Sequence, residues 1–204
     1  MAYEPFEDMY SRAGADLGRL PWANLAPDRY LVAWLGSADA PTPGRTIVVG
    51  CGLGDDAEEL ARRGHRVTAF DVSPSAIAWC RERFPASPVD YVVADVLDLP
   101  AAWDGTWDAV VENRTVQSLE PVHWSHAIAE IAALVAPGGV AFVRCFGRDD
   151  DAPRGNTRPW PLSRRDLRGF TDAGLVEEAF ADRADPELRG RSFTVRYRRA
   201  PPTA

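Results

Sequence analysis

Thr46-Ile47-Val48-Val49-Gly50-Cys51-Gly52-Leu53-Gly54-Asp55-Asp56 decides how this chain folds. A short apolar strand runs into a glycine turn, and a helical pattern follows from Asp55 to Arg63. Gly50 and Gly52 carry no Cβ, so the backbone can turn tightly there and come close to a ligand. The next apolar run, Arg66 to Asp71, ends on an acid 21 residues beyond Gly50. Strand, glycine turn, helix and an acid at the tip of strand two describe a nucleoside-binding crevice. Asp71 can accept hydrogen bonds from ribose hydroxyls there. The alternative role for Asp71 is a cap for the helix that starts at Ser73-Pro74.

Two acids bear on which nucleoside is bound. Dinucleotide sites carry G-x-G-x-x-G, with a pyrophosphate on the helix N-terminus. Gly50 and Gly52 match, but Asp55 stands in place of the third glycine and Asp56 follows it. Two carboxylates at a helix start suit the macrodipole and repel a pyrophosphate. A cationic, phosphate-free adenosyl ligand fits better. S-adenosylmethionine, with its sulfonium, ammonium and ribose, is therefore favoured over NAD.

Outward from that stretch, the 204 residues have the size of one α/β domain. No apolar run approaches the roughly 18 residues of a membrane span. The acidic start, Met1 to Asp8, has no signal-peptide pattern. Three scattered cysteines, Cys51, Cys80 and Cys145, are too few for a disulfide framework or a zinc cluster. A cytoplasmic location is expected. A net charge of −7 argues against a nucleic-acid partner. All 23 basic residues are arginine, which excludes Schiff-base chemistry on a lysine.

Residues 3–20 read as an amphipathic helix, with Phe6, Met9, Tyr10 and Leu17 at helical spacing. A second helix is predicted over Asp28 to Leu35, then a Pro41-Thr42-Pro43-Gly44 linker. From Arg45 onward strands and helices alternate. Strands are predicted at Thr46–Gly50, Arg66–Asp71, Val89–Asp95, Asp108–Asn113 and Val140–Phe146. Helices are predicted at Asp55–Arg63, Pro74–Arg83, His123–Val135 and Arg164–Ala173. Gly64, Pro85 and Pro137-Gly138-Gly139 stop the first three, and Ser163 with Asp166 forms a capping box for the fourth. Such alternation means a parallel sheet with helices on both faces. Gly174–Ala181 and Ser192–Arg199 break it. Asp182–Gly190 is too short for a parallel crossover of a dozen or more residues, so the last strand should run antiparallel.

At this point the chain resembles a class I S-adenosylmethionine-dependent methyltransferase over about residues 20–200. Val49-Gly50-Cys51-Gly52-Leu53-Gly54 resembles the family's first motif and Phe70-Asp71-Val72-Ser73 its second. Val93-Ala94-Asp95-Val96 resembles the third, and Leu134 to Gly139 the turn before strand five. Pro21-Trp22-Ala23-Asn24-Leu25, the Gly54–Ala57 helix start, Asp71 to Ile77 and Glu112-Asn113-Arg114-Thr115 are similar to the thiopurine and thiol methyltransferases. N-methyltransferases of fused heterocycles such as azapteridines look similar too. The resemblance implies an α/β fold: a doubly wound, mostly parallel seven-stranded sheet with a C-terminal antiparallel strand. It implies one domain, with residues 1–40 as a helical cover and 45–200 as the cofactor-binding core. The implied activity is methyl transfer from S-adenosylmethionine, leaving S-adenosylhomocysteine, to a small-molecule acceptor. Sulfur or ring nitrogen is favoured as nucleophile, since no histidine stands where a hydroxyl acceptor would need a base. No nucleic acid, membrane or metal is expected, and the chain is a monomer or homodimer. An NAD-linked oxidoreductase and a non-catalytic S-adenosylmethionine-binding domain are the alternatives.

The implied cofactor residues are Trp22, Gly50, Cys51, Gly52, Asp55, Asp71, Val72, Asp95, Val96 and Asn113. Asp95 would meet the adenine amino group, and Val72 and Val96 would sandwich the ring or simply pack in the core. Many class I enzymes place an acid where this chain has Val48; Asp55 or Asp56 would supply that charge to the methionine ammonium. Asn113 and Arg114 are the candidates at the reacting centre, at the carboxyl end of strand four where open sheets bind ligands. Arg114 binds an anionic or carbonyl-bearing acceptor by its fork of donors, or pairs with a neighbouring acid. Tyr10, Trp22, Phe146 and Trp160, with Tyr3 and Phe6, wall a pocket for a flat substrate or are ordinary core. Cys51 reads as a small packed residue, its thiol held up by Asp55 and Asp56. His123, His126 and Glu130 share a helix face and resemble metal ligands only superficially. The loop from Arg148 to Pro161 is a lid or a solvated connection.

Overall fold

A computed structural model of the chain describes residues 4–13, 20, 23–185 and 190–202. It divides into two compact units, Met1–Asp95 and Val96–Ala204. The first unit holds helix α1 (Glu4–Ala13), α2 (Arg29–Leu35), strand β1 (Arg45–Val49), α3 (Asp55–Arg62), β2 (Arg66–Asp71), α4 (Pro74–Arg83) and β3 (Asp90–Val93). The second holds β4 (Trp107–Asn113), α5 (Trp124–Leu134), β5 (Val135–Gly147), α6 (Arg164–Asp172), β6 (Leu175–Asp185) and β7 (Gly190–Arg199). The sheet is mixed and seven-stranded, ordered β3-β2-β1 in the first unit and β4-β5-β7-β6 in the second. The implied fold class is the one observed.

In the first unit, β1 and β2 pair in parallel from Arg45↔Arg66 to Val49↔Phe70, and β2 pairs in parallel with β3. β1 buries four residues in a row, as a strand covered on both faces must. The helix starts follow local chemistry. Asp28 accepts from the amides of Tyr30 and Leu31 and so starts α2. Ser73 accepts from Ala76 N, and Pro74 occupies the first turn of α4, where its missing N–H costs nothing. Of the predicted helix over 3–20, the described part ends at Ala13, and 14–19 lie outside the described residues.

In the second unit, β4 and β5 are parallel, while β7 is antiparallel to both β5 and β6. The expected C-terminal reversal is present, and its strands reach further into the connection than predicted, to Asp185 and from Gly190. Ser163 and Asp166 form the predicted capping box. One expectation is overturned. Pro137-Gly138-Gly139 is no separate turn between helix and strand: α5 ends at Leu134, and β5 begins at Val135 and contains all three residues. The register jumps from Trp107↔Val135 to Ala109↔Val140. The extra residues bulge out of the ladder, with Gly138 at φ 78°. The core here stacks Phe170 on Tyr197, ring centroids 5.0 Å apart, and Tyr197 donates its hydroxyl to Leu167 O. Gly147 lies against Phe193 so closely that a Cβ would overlap the ring. Among the described residues no helix is long and apolar enough to cross a membrane.

Candidate functional site

In the first unit the site grows from the turn after β1. Gly50, Gly52 and Gly54 have φ of 58°, 55° and 87°, a left-handed backbone that only glycine takes without strain. Cys51 N donates to Phe70 O at 2.8 Å, which pins the turn to the end of β2. Asp71 completes the junction: one carboxylate oxygen accepts from Gly52 N and the other from Ser73 N, both at 3.0 Å. Asp71 thus holds the turn and the start of α4 at once. With the amides of Gly52, Ser73 and Val72 on it, the carboxylate keeps about one further acceptor position, enough for a ribose hydroxyl. Burial raises the Asp71 carboxyl to about 6, against the amides of Ser73, Gly52 and Val72 and with a contribution from Glu7. Val72 is half-buried beside it, and Asp95 is half-buried beyond the end of β3.

The acids of α3 already have protein partners. Both of its oxygens receive the Arg83 guanidinium, at 2.8 and 3.0 Å. Asp56 accepts from Asp28 N at 2.7 Å, and Glu58 accepts from the Tyr91 hydroxyl at 2.7 Å. The helix mouth is therefore less negative than its sequence implies, and neither Asp55 nor Asp56 is left to serve an ammonium alone. The third glycine, Gly54, is explained by packing: a Cβ there would run into the Tyr91 hydroxyl and Cys80 Sγ. Cys51 is half-buried, and its thiol is pushed well up. The causes are a hydrogen bond with Cys80, burial and the charges of Cys80 and Asp71, rather than the α3 acids.

Helix α1 supplies two residues here. Tyr10 is 3% exposed and packs with Ala13, Leu20, Leu53 and Ala76. A Cβ on Gly52 would come within 3.3 Å of the Tyr10 hydroxyl, which places Tyr10 at the glycine turn. Glu7 accepts from Ser73 Oγ and Ser75 Oγ, both at 2.6 Å, and from Ser75 N at 3.2 Å. Burial would raise its carboxyl, but the hydrogen bonds from Ser73, Ser75 and Ser11 outweigh that and bring it down to about 2. Glu7 went unnoticed in the sequence because an acid on the polar side of an amphipathic helix looks like any other. Trp22, like Tyr3, lies outside the described residues.

In the second unit the candidates gather at the carboxyl ends of β4 and β5. Arg114 has φ 67°, a strained left-handed conformation for a residue with a long side chain. Its amide donates to Arg144 O at 2.8 Å. Asn113, Phe146 and Trp160 are half-buried, and Val96 is buried. The Asn113 side chain accepts from Arg144 Nη1 at 3.5 Å. Arg144 also donates to Asp185 at 3.2 Å and to Ser192 Oγ at 3.3 Å. Arg144 escaped the sequence reading, although a lone charge inside an apolar strand was a usable signal. Glu112 is 1% exposed. Burial raises its carboxyl to about 7, against the amides of Val116 and Thr115 and the charges of Arg114 and Arg144. The loop after β5 is fastened at its base. Arg148 donates to the carbonyls of Pro161 and Ala152 and to Asp166. His126 meets Glu130 at 3.6 Å on an exposed helix face. Among the described residues no three His, Cys, Asp or Glu side chains are grouped as metal ligands.

Comparison with known proteins bears on the fold. Residues 47–139 match the methyltransferase domain family. An uncharacterised methyltransferase of Mycobacterium tuberculosis is 35% identical over 132 residues, 62% of this chain and 61% of the relative. A ubiquinone biosynthesis O-methyltransferase of Xanthomonas axonopodis pv. citri is 38% identical over 111 residues, 53% of this chain and 45% of the relative. This chain thus spans about half to three-fifths of the length of these curated relatives. The solved 1,6-didemethyltoxoflavin-N1-methyltransferase of Burkholderia thailandensis, with bound S-adenosylhomocysteine, superposes with a TM-score of 0.75 at 21% identity. That match covers 96% of this chain and 87% of the other. The fold is that of the Rossmann-like methyltransferases, and residues 47–139 of this chain match the methyltransferase domain.

Proposed function

We propose that this chain is an S-adenosylmethionine-dependent methyltransferase acting on a small molecule, with sulfur or a ring nitrogen of a flat heterocycle as nucleophile. The observation that carries the reading is the junction of the glycine turn with Asp71. A bare, left-handed backbone lies beside a buried carboxylate with acceptor capacity to spare, which suits an adenosyl group. Gly50, Cys51, Gly52, Asp71, Val72 and Asp95 in the first unit would hold the cofactor; Val96, Asn113 and Trp22 are assigned to it from the sequence resemblance alone. Tyr10, placed at the glycine turn, joins this set. When bound, S-adenosylmethionine supplies an electrophilic methyl group and leaves as the neutral thioether.

The protein's own work is alignment and water exclusion. Arg114 would orient an anionic or carbonyl-bearing acceptor, and Phe146 and Trp160 would stack on it. A thiolate or ring nitrogen needs little help from a base. The toxoflavin-type relative acts on nitrogen and the Xanthomonas relative on oxygen, so the preference for sulfur or nitrogen rests on the side chains of this chain. The test is transfer of labelled methyl from S-adenosylmethionine to a thiopurine, a simple thiol, a fused nitrogen heterocycle and a catechol. Labelling of the first three above the catechol supports the reading. Labelling of the catechol alone contradicts the nucleophile, and labelling of none contradicts the activity.

A further inference from the structure

The 3-10 turn Val116–Ser118 after β4 is tied at more points than a connection needs. Glu112 reaches forward from the strand, and one of its oxygens accepts from Thr115 N at 2.6 Å and Val116 N at 3.0 Å. Ser118 Oγ donates back to Arg114 O at 2.8 Å. Arg114 is thereby held in its left-handed conformation from both sides. Gln117, 1% exposed, then turns the turn into a junction. Its side-chain oxygen accepts from Phe146 N at 2.5 Å, and its carbonyl accepts from Trp160 N at 2.8 Å. Phe146 O in turn accepts from Leu162 N at 2.9 Å, which closes the neck of the loop that carries Trp160.

Trp160 is held by a main-chain carbonyl that any residue at 117 would offer, whereas the Phe146 amide finds its partner in the Gln117 side chain. These are the two aromatics, and the turn itself carries the arginine, that the proposed function assigns to the acceptor. We propose that Gln117 and Glu112 are positioning residues for methyl transfer: Glu112 fixes the turn that presents Arg114, and Gln117 locks Phe146 and Trp160 to it, so that the three face one flat, anionic or carbonyl-bearing acceptor in fixed register. The pair acts through backbone geometry and touches neither acceptor nor cofactor. The inference rests on the proposed acceptor residues.

The experiment compares wild type with Gln117→Met and Glu112→Met, which keep volume and remove the acceptor oxygen, and with Gln117→Glu and Glu112→Gln, which keep it. Two readouts are taken on the full chain: residue-resolved amide exchange at Thr115, Val116, Phe146 and Trp160, and steady-state methylation of 6-mercaptopurine. Gln117→Met should speed exchange at Phe146 by about tenfold or more, and Glu112→Met at Thr115 and Val116. Both should raise KM for 6-mercaptopurine by about tenfold while leaving KM for S-adenosylmethionine within about twofold. The Glu and Gln variants should restore wild-type behaviour. If Gln117→Met does not fold, Gln117→Asn, shorter by one methylene, takes its place with the same expectation.

Unchanged exchange at Phe146, unchanged KM values, or equal losses toward both substrates would each overturn the clamp. Should wild type not methylate 6-mercaptopurine, the sulfur-acceptor reading fails, and the exchange data alone decide the clamp.

Discussion

Asp71 joins the glycine turn of β1 to the helix after β2, and under the proposed function its raised carboxyl is the ionisation a ligand would feel. A ribose hydroxyl donates better to a carboxylate than to a neutral acid. Affinity for S-adenosylhomocysteine should therefore hold above pH 6 and weaken below it, as the carboxyl near 6 takes up its proton. Asp71→Asn should bind less tightly and lose that pH dependence, and Asp71→Ala should lose most of the affinity. Calorimetric titrations at pH 5 and 7.5 check all three. Asp71, its neighbour Val72 and the glycine turn were legible in sequence because their chemistry is local, set by spacing between adjacent elements. The partners of Asp55 and Cys51 were not. Arg83 is 28 residues from Asp55, Cys80 is 29 from Cys51, and no periodicity announces either meeting. Arg83 offsets the charge of Asp55, and the electrostatic case against a diphosphate then rests on Asp56 and Glu58 in the first turn of α3.

Elements with their own start and stop signals were also legible. Ser73-Pro74 and the Ser163–Asp166 box set the beginnings of α4 and α6 at the predicted residues. Pro137-Gly138-Gly139 misled because the same residues that end a helix also permit a bulge, and only pairing with Trp107 decides between them. The β5–β7 contact shows the same limit. Gly147 in β5 is forced by Phe193 in β7, a partner 46 residues on. Gly147→Ala should destabilise by about 2 kcal/mol through overpacking, read as a lower urea midpoint with an unchanged slope. A variant as stable as wild type would mean the ring has room to move. The 3-10 turn after β4 belongs at this scale too, since Glu112 and Gln117 have meaning only through the three segments they join.

Across the whole molecule, the four carboxyls with the largest shifts give stability a pH dependence of known sign. Asp71 near 6 and Glu112 near 7 are raised, so the folded chain keeps protons that the unfolded chain has already released. Their contribution is fully present below the ordinary carboxylate range and is lost as pH rises toward 7. Glu7 and Glu59 near 2 act in the opposite sense, adding stability above about 4.5 that is lost as pH falls toward 2. The melting temperature should be highest between about pH 4 and 5 and lower at both pH 8 and pH 3. Glu112→Gln should flatten the limb between 5 and 8, and a profile still rising from 5 to 8 would contradict these assignments. The claim on which the rest depends is that the glycine turn and Asp71 take an adenosyl group without a diphosphate. Calorimetry of the full chain with S-adenosylhomocysteine and with NAD tests it most directly. The account predicts one-to-one, micromolar binding of S-adenosylhomocysteine, abolished by Asp71→Ala, and no measurable binding of NAD. Tight binding of NAD, or uptake of neither compound, would contradict it.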